Sequence, residues 1–381
     1  MRVLITGSNG FIGKNLKLRL RERADVQVVC FNRIHGSKHL VELLNGVDFV
    51  FHLAGVNRTP DPTEFVNGNF ELTCDLCRAV AESVRLTGKS IPIIYTSSIQ
   101  AGQDSAYGRS KYRAEEVLRS TGREFLFPVH VFRLPNVFGK WCLPNYNSVV
   151  ATFCHNITHN LPIHINDPDA VLRLVYIDDV LDQFIQLMDG ATRTVDSDCF
   201  EMIKPEYVKT VGELARQIRA FFNSRSSLVT ERVGEGYVRA LYSTYLSYLP
   251  VKEFAYDIPK YEDSRGVFVE MLKTQDSGQF SFFTAISGVT RGGHYHNSKT
   301  EKFLVIKGKA LFRFRHMLSA KDHELRVSGD NLQIVDTVPG WTHDVTNIGQ
   351  EELIVMIWAN EIFDRTATDT YDSPLLPYEK K

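Results

Sequence analysis

Short apolar runs alternate with amphipathic helical patterns through the first half of the chain. Helical spacing of apolar residues occurs at 13–23, 70–85 and 111–120. Apolar runs that predict buried strands lie between these helices, at residues 3–5, 26–31, 49–53, 91–95 and 129–132. Because strands that alternate with helices form parallel sheets with both faces covered, this half predicts a doubly wound α/β fold.

The pattern changes near residues 234–260, where tyrosines and prolines are crowded. We expect these tyrosines to pack in a core or between domains. Beyond them, short strands predicted at 280–286, 302–307, 310–315, 332–335 and 352–357 alternate with glycine turns, which indicates an all-β sandwich or barrel. The predicted organisation is an α/β domain over 1–245, a connector over 246–260 and an all-β domain over 261–381.

Composition narrows the functional classes. The 381 residues predict two domains, and 44 Lys and Arg against 45 Asp and Glu leave a net charge of −1. This balance argues against nucleic acid and membrane surfaces as partners. The first residues lack the apolar core of a signal peptide, and no apolar run reaches membrane-spanning length, so a cytoplasmic protein is expected. The six cysteines are interpreted as free thiols rather than disulfides.

A glycine-rich loop follows the first predicted strand and opens the first predicted helix. Its GxxGxxG spacing allows a tight turn, close approach of the backbone to a diphosphate, and close helix–sheet packing. The diphosphate would lie at the positive N-terminus of the helix. The predicted cofactor-binding residues are Gly7, Asn9, Gly10, Phe11, Ile12 and Gly13.

The end of the second predicted strand indicates which nicotinamide cofactor is bound. An NAD site places an acid there to bind the 2′-hydroxyl of the ribose, whereas an arginine suits the 2′-phosphate of NADPH. This chain has Arg33 at that position. We therefore predict NADPH, with a solvated loop arginine as the alternative interpretation of Arg33.

A serine, a tyrosine and a lysine form a candidate set for ketone reduction. Ser98 ends a predicted strand, and Tyr107 and Lys111 are four residues apart on one helix face. Reduction of a ketone needs a proton donor beside the developing alkoxide, which Tyr107 can supply. Lys111 can provide a nearby positive charge and bind the ribose, and Ser98 can donate a hydrogen bond to the carbonyl.

With these motifs, the first 240 or so residues resemble the extended short-chain dehydrogenases/reductases (SDRs) that act on nucleotide sugars. The resemblance implies a Rossmann-type fold and the catalytic set Ser98, Tyr107 and Lys111. The segments 132–139 and 173–179 are similar to the substrate-side signatures of that branch. They make Asn136 and Arg173 candidates for binding the sugar nucleotide. Arg133 and Asp178 are interpreted instead as structural, in an ion pair or a cap.

The second half contains a dense set of metal-binding residue types. His294 and His296 point the same way on a strand, Glu301 follows, and His343 lies on a later strand. Imidazole and carboxylate ligands suit a divalent metal such as zinc. With its flanking glycines this spacing resembles the cupins, which implies a jelly roll. The second cupin motif is altered, because Pro339 and Gly340 are adjacent.

The same half also resembles the nucleotide-sugar 3,5-epimerases of deoxyhexose synthesis. The segments 263–270 and 290–295 carry this likeness. It implies that Arg265 and Arg291 lie at the substrate diphosphate and that His294 is the general base. Because His294 is also a predicted metal ligand, we favour the ligand role and leave the base unassigned.

The combination resembles the bifunctional capsular-polysaccharide enzymes of the UDP-N-acetyl-L-fucosamine pathway. That likeness implies a cytoplasmic homodimer with a UDP-2-acetamido-2,6-dideoxy-4-hexulose substrate. It further implies C3 epimerisation in the cupin, then NADPH-dependent C4 reduction to the L-talose form. Two alternatives stay open from sequence: a reductase of dTDP-sugars whose cupin is structural, and a non-catalytic NADPH sensor.

Overall fold

The computed structural model describes residues 1–32, 36, 39–190, 200–263, 266–269, 271–274, 278–361 and 368–375. The predicted site residues Arg33 and Arg265 lie outside these ranges. By packing, the chain divides into two compact units. The first unit comprises residues 1–138, 145–148 and 172–208, and the second comprises 139–144, 149–171 and 209–381.

The helices largely follow the predicted amphipathic segments. A serine begins the long fifth helix, because the Ser105 hydroxyl accepts the backbone N–H of Gly108 at 2.9 Å. A capping box between Thr210 and Glu213 begins the eighth helix. The helices are Phe11–Arg21 (α1), His39–Leu43 (α2), Thr63–Phe65 (α3), Leu72–Thr87 (α4), Ala106–Phe125 (α5), Val149–Thr158 (α6), Ile177–Met188 (α7), Val211–Ser227 (α8) and Gly236–Leu246 (α9). Short π or 3₁₀ turns cover Val66–Glu71, Ile99–Gly102 and Val251–Glu253.

A five-stranded parallel sheet forms the centre of the first unit, and it confirms the predicted Rossmann-like, doubly wound fold. Its strands pair in the order β2-β1-β3-β4-β5. They are nearly continuous apolar runs because helices cover both faces of such a sheet. The first strands of the chain are Arg2–Thr6 (β1), Gln27–Phe31 (β2), Phe49–His52 (β3), Ile93–Ser98 (β4), Val129–Leu134 (β5), Asn136–Phe138 (β6), Val171–Tyr176 (β7), Tyr207–Thr210 (β8) and Val229–Thr230 (β9). Strands β6, β7 and β8 form a separate small sheet.

An ion pair is buried beside the central sheet. The two carboxylate oxygens of Glu115 on α5 accept from Nε and Nη2 of Arg133 on β5, at 3.0 and 2.7 Å. The Ser97 hydroxyl donates to the same carboxylate, and the Arg133 guanidinium lies 3.6 Å from the centre of the Phe200 ring. The structural interpretation of Arg133 is therefore confirmed.

Two five-stranded antiparallel sheets form the β part of the second unit, as the glycine-separated strands predicted. The pairing orders are β10-β19-β16-β21-β14 and β18-β17-β20-β15-β22. Aromatic rings pack between the sheets, with Phe303 of one and Phe312 of the other 5.5 Å apart. The strands are Ala255–Asp257 (β10), Lys260–Asp263 (β11), Gly266–Val269 (β12), Lys273–Thr274 (β13), Gln279–Ala285 (β14), Thr290–Tyr295 (β15), Glu301–Lys307 (β16), Lys309–His316 (β17), Asp322–Ser328 (β18), Gln333–Asp336 (β19), Trp341–Asn347 (β20), Leu353–Ala359 (β21) and Tyr371–Asp372 (β22).

The tyrosine-rich segment belongs to the core of the second unit. Tyr242 and Tyr245 of α9 are buried and pack against Phe221 of α8. Packing therefore places α6, α8 and α9 in the same unit as the β-sheets. The predicted boundaries at 245 and 260 were drawn from sequence motifs, whereas the two units are defined by packing. The domain boundaries therefore stay a prediction.

Three charged side chains meet inside the second unit where α8 packs on the sheet that contains β16 and β19. The Asp336 carboxylate binds Arg225 at 2.5 Å and Lys302 at 2.7 Å. Both cations also face the ring of Tyr256, at 4.7 and 5.2 Å from its centre. Since Asp336 and Lys302 are almost completely buried, removal of the one carboxylate leaves two cations without their anion.

We predict that Asp336→Asn lowers the free energy of unfolding by roughly 3–5 kcal/mol, as is typical when one partner of a buried ion pair is removed. The matched control is Asp322→Asn, which removes an exposed pair with Arg315 and should cost at most about 1 kcal/mol. Tryptophan fluorescence during urea unfolding measures both, because Trp141, Trp341 and Trp358 all lie in the second unit. Equal losses in the two variants would contradict this account.

Candidate reductase site and metal cluster

The glycine loop has backbone geometry that side chains would disrupt. Gly7 has a φ of +69°, and a Cβ there would lie 2.7 Å from Cα of Ala54. A Cβ on Gly13 would lie 2.3 Å from the carbonyl oxygen of Gly7. Gly10 is the N-cap of α1 and provides no side-chain cap, so the first N–H groups of the helix are available to an anion. The loop fits the diphosphate of a dinucleotide.

The sheet order places this loop at a topological switch point. From β1 the chain passes to β2 on one side, and it later returns to β3 on the other side. A crevice at the carboxyl ends of β1 and β3 is the usual ligand site of such sheets. His52 at the end of β3 is buried and bonded to Thr6 and Thr73. Burial, with a smaller effect of Lys111, lowers its pKa to about 3, so His52 is a neutral core residue.

The end of β2 is described only as far as Asn32. The Ser8 hydroxyl in the glycine loop donates to Oδ1 of Asn32 at 2.9 Å. A neutral amide therefore stands next to the predicted cofactor residue Arg33, which lies outside the described residues.

Ser98, Tyr107 and Lys111 are brought together at the carboxyl end of β4. Burial raises the pKa of Tyr107, and its hydrogen bond with Ser98 offsets part of this rise. Tyr107 thus holds its proton at neutral pH, as a donor must. The Lys111 ammonium donates to the Thr96 carbonyl at 3.0 Å and lies beneath the loop that follows β3. The predicted set is therefore spatially contiguous, whereas its catalytic role stays a prediction.

Two asparagines that were not predicted from sequence support this set. Asn57 accepts the hydroxyl of Tyr107 at 3.3 Å. Asn69, in the π-helical turn before α4, bonds both backbone groups of Val56 and the Ser110 hydroxyl. A Cβ on Gly55 would lie 2.9 Å from Asn69 Oδ1 and 3.1 Å from Lys111 Nζ. The glycine after β3 was the available sequence signal for this close contact.

The predicted substrate residues of the first unit are also neighbours. Asn136 donates from its amide to the backbone carbonyl of Arg173 at 3.3 Å. The Arg173 guanidinium forms an exposed ion pair with Glu206. A third contact pair was not predicted from sequence: the Arg58 guanidinium donates to the carbonyl of Tyr146, and the Tyr146 hydroxyl donates to the carbonyl of Arg58. The substrate roles of Asn136 and Arg173 stay predictions.

In the second unit, the four predicted metal ligands form one cluster. One donor atom each from His294, His296, Glu301 and His343 lie within 4.8 Å of one another. The β15–β20 pairing shifts register at the adjacent Gly292 and Gly293, which have φ of +92° and +85°. This bulge lies directly before His294, where it re-aims the strand.

The protonation states of the four side chains are compatible with binding a cation. Burial is the main cause of the lowered pKa of His294, to about 3, and of His343, so both imidazoles are neutral. Burial alone would raise the pKa of Glu301, but the neighbouring His296 and His343 side chains bring it well below its usual range. Nδ1 of His296 must donate to the carbonyl of Asp369, which leaves its Nε2 lone pair 3.2 Å from the Glu301 carboxylate. Two acceptors at that distance need a proton or a metal ion between them.

Two further expectations concern the surroundings of the cluster. The unusual Pro339-Gly340 turn still delivers His343, with Gly340 at a φ of +85° against the Trp141 ring. Arg291 is exposed on β15, 5.4 Å from the centre of the Phe283 ring. Its predicted role at the substrate diphosphate stays a prediction, as does that of Arg265, which lies outside the described residues.

Two family models match the chain. The model of the NAD dependent epimerase/dehydratase family matches residues 3–198, and the polysaccharide biosynthesis C-terminal domain matches residues 261–371. The chain therefore belongs to the NAD dependent epimerase/dehydratase family. Among the described residues, no helix is both long and apolar enough to cross a membrane.

One curated relative is similar over nearly its whole length. It is the UDP-2-acetamido-2,6-beta-L-arabino-hexul-4-ose reductase of Pseudomonas aeruginosa, 57% identical over 97% of this chain and 98% of the relative. Among solved structures, the capsular polysaccharide assembling protein CapF of Staphylococcus aureus is 37% identical, with a TM-score of 0.64 over 98% of this chain and 100% of that one. A UDP-glucuronic acid 4-epimerase of Bacillus cereus shares the fold of the first unit, at 19% identity and a TM-score of 0.50 over 60% of this chain and 84% of that one.

We predict that Lys111 titrates near pH 8, because burial, partly offset by Glu115, lowers its pKa from 10.5 to about 8. Lysine side-chain NMR should show one resonance with that midpoint, and Lys111→Met should remove it. Between pH 8 and 10.5 the unfolded chain binds the proton that folded Lys111 has lost. The contribution of Lys111 to the free energy of unfolding should therefore rise with pH in this window and be absent in Lys111→Met. A lysine spectrum unchanged by the substitution would contradict the assignment.

Proposed function

We propose that the protein is a bifunctional nucleotide-sugar enzyme. The second unit, which we assign to the cupins, inverts C3 of a UDP-2-acetamido-2,6-dideoxy-4-hexulose. The first unit then reduces C4 with NADPH to UDP-2-acetamido-2,6-dideoxy-L-talose, a precursor of UDP-N-acetyl-L-fucosamine for capsule or O-antigen. The observation that carries the reductase is the placement of Tyr107 beside Ser98 and Lys111 at the carboxyl end of β4, in a fold with a dinucleotide loop. A homodimer in the cytoplasm is part of the proposal.

The name of the Pseudomonas relative supports the choice of substrate. It contains the UDP group, the 2-acetamido group and a ketone at C4, and it describes a reductase. These features favour a UDP-sugar over a dTDP-sugar. The presence of both Tyr107 and Lys111 in the site argues against a non-catalytic sensor.

In the reductase, each residue has a separate task. The glycine loop would hold the diphosphate, Lys111 the ribose and Arg33 the 2′-phosphate of NADPH, which supplies the hydride for C4. Ser98 donates a hydrogen bond to the C4 oxygen and orients the ketone. Tyr107 transfers its hydroxyl proton to that oxygen as negative charge develops, and solvent then returns a proton to Tyr107.

In the cupin domain, the chemistry is proton transfer at C3. The C3 hydrogen is acidic because it is next to the C4 carbonyl, and return of a proton to the opposite face inverts the centre. His294, His296, Glu301 and His343 would hold a divalent metal ion, which we propose is zinc and which would supply Lewis acidity or local rigidity. Epimerisation must come first, because reduction removes the carbonyl that makes the C3 hydrogen acidic.

We predict that Tyr107→Phe lowers NADPH oxidation by roughly 10²–10⁴-fold, the usual cost of losing a general acid. The same variant, without NADPH, should still exchange the C3 hydrogen of the keto-sugar with solvent deuterium at the wild-type rate. The matched control is Tyr112→Phe, an exposed tyrosine on the same helix, which should keep both activities. The assay also tests the cofactor, since NADPH should be oxidised faster than NADH.

Two outcomes would contradict the division of labour. Near-full reduction by Tyr107→Phe would remove the proton donor from the mechanism. Loss of deuterium exchange in a folded Tyr107→Phe protein would place the proton chemistry in the first unit.

We predict about one divalent metal ion per chain, measured by elemental analysis of the purified protein. Glu301→Gln should lower the occupancy, because it replaces an anionic ligand by a neutral amide of the same shape. His323→Asn, on β18 outside the cluster, is the control and should retain the metal. An active wild-type protein without metal would overturn the metal assignment and return His294 to the role of base.

A further inference from the structure

The C-terminal segment, residues 368–375, contacts the strands that carry the cluster. Its strand β22 pairs with β15, with Asp372 opposite His294. The backbone carbonyl of Ser373 accepts the hydroxyl of Thr342, the residue before His343, at 2.6 Å. The backbone of this segment therefore contacts the chain at or next to two of the three histidine positions.

The third histidine is held by Asp369 itself. The carbonyl oxygen of Asp369 accepts Nδ1–H of His296 at 2.6 Å. A hydrogen bond of this kind selects the tautomer of a ligating histidine and fixes the plane of its ring. The Nε2 lone pair of His296 is consequently directed at the cluster rather than at solvent.

The Asp369 carboxylate also binds the loop between two cluster residues. Its oxygens accept the backbone N–H groups of Asn297, Ser298 and Lys299 at 2.9, 2.7 and 2.7 Å, and the Ser298 hydroxyl at 3.0 Å. The carboxylate is therefore the anion around which the loop folds.

This loop joins His296 to Glu301, so its shape sets the distance between those two ligands. Buried N–H groups need acceptors, and loss of the carboxylate would leave three consecutive groups without theirs. The loop would then rearrange toward water, and the two ligands would lose their relative placement. Ligands that must reorganise on binding hold a metal ion less tightly than ligands already in position.

We propose that Asp369 is a positioning residue for the four-residue cluster of candidate metal ligands. Through Asp369, retention of the divalent cation is coupled to docking of residues 368–375. This inference rests on the proposed metal site. Coupling between two binding events is reciprocal, so the metal ion should in turn stabilise the docked segment. Asp369 would thus act on the metal without contacting it.

The test measures metal release from the full chain loaded with zinc. Transfer of zinc to an excess of a chromogenic chelator should be about 10–100-fold faster in Asp369→Ala than in wild type, the usual effect of losing a group that orients a metal ligand. Asp369→Asn has the same shape and should also release zinc faster. The matched control is Asp372→Asn, which makes the same charge change at an exposed position of the same segment and should release zinc at the wild-type rate.

A spectroscopic measurement separates positioning from general destabilisation. In cobalt-loaded protein, the visible absorption reports ligand geometry, so Asp369→Asn should shift the band and Asp372→Asn should not. Hydrogen exchange of backbone amides 371–373 should slow when zinc is added to the wild type, and this effect should be lost in Asp369→Asn.

The outcomes distinguish this inference from the proposal beneath it. A wild-type protein that binds no divalent metal would overturn the metal site and this inference together. A metal-bearing wild type whose Asp369→Asn variant releases zinc at the same rate, with an unchanged cobalt spectrum, would overturn this inference alone. If Asp369→Ala fails to fold, the isosteric Asp369→Asn decides the result.

Discussion

Close approach of backbone to backbone at the carboxyl end of the parallel sheet is the constraint on which the first unit depends. Gly7 packs against Ala54, and Gly13 packs against the carbonyl of Gly7, at distances that leave no room for a Cβ. Gly55 continues this contact to Lys111. Because these glycines carry no Cβ, three features can pack against one another: the N-terminus of α1, the loop after β3, and Lys111 of the candidate active site.

Burial favours the neutral form of a side chain in both sites, but this keeps a proton on the tyrosine and removes one from each histidine. In the first unit, burial keeps the proton on Tyr107, so that the residue can donate it. In the second unit, burial keeps His294 and His343 neutral, while the neighbouring His296 and His343 side chains lower the pKa of Glu301 and keep it anionic. One physical effect therefore leaves Tyr107 with its proton and leaves His294 and His343 with lone pairs.

Local patterns allowed much of this architecture to be predicted from sequence. Apolar runs predict β1 to β5 because both faces of a parallel sheet are buried. Alternation on a strand predicts that His294 lies beside His296, although β15 ends at Tyr295 and His296 is the first residue after it. Asn57, Asn69 and Asp369 could not be found in this way, because each acts through contacts with residues distant in sequence. Packing also joins α8 and α9 to the β-sheets through Asp336 and Tyr242, which helical periodicity alone does not reveal.

The position of Asp369 has a consequence for biosynthesis. The carboxylate and the loop that it binds are separated by 70–72 residues along the chain. On the ribosome, all four cluster residues emerge well before the anion that orders their loop. During synthesis, His294, His296, Glu301 and His343 therefore exist for a time without the carboxylate that orders the loop between two of them, and their final arrangement can form only after Asp369 has emerged.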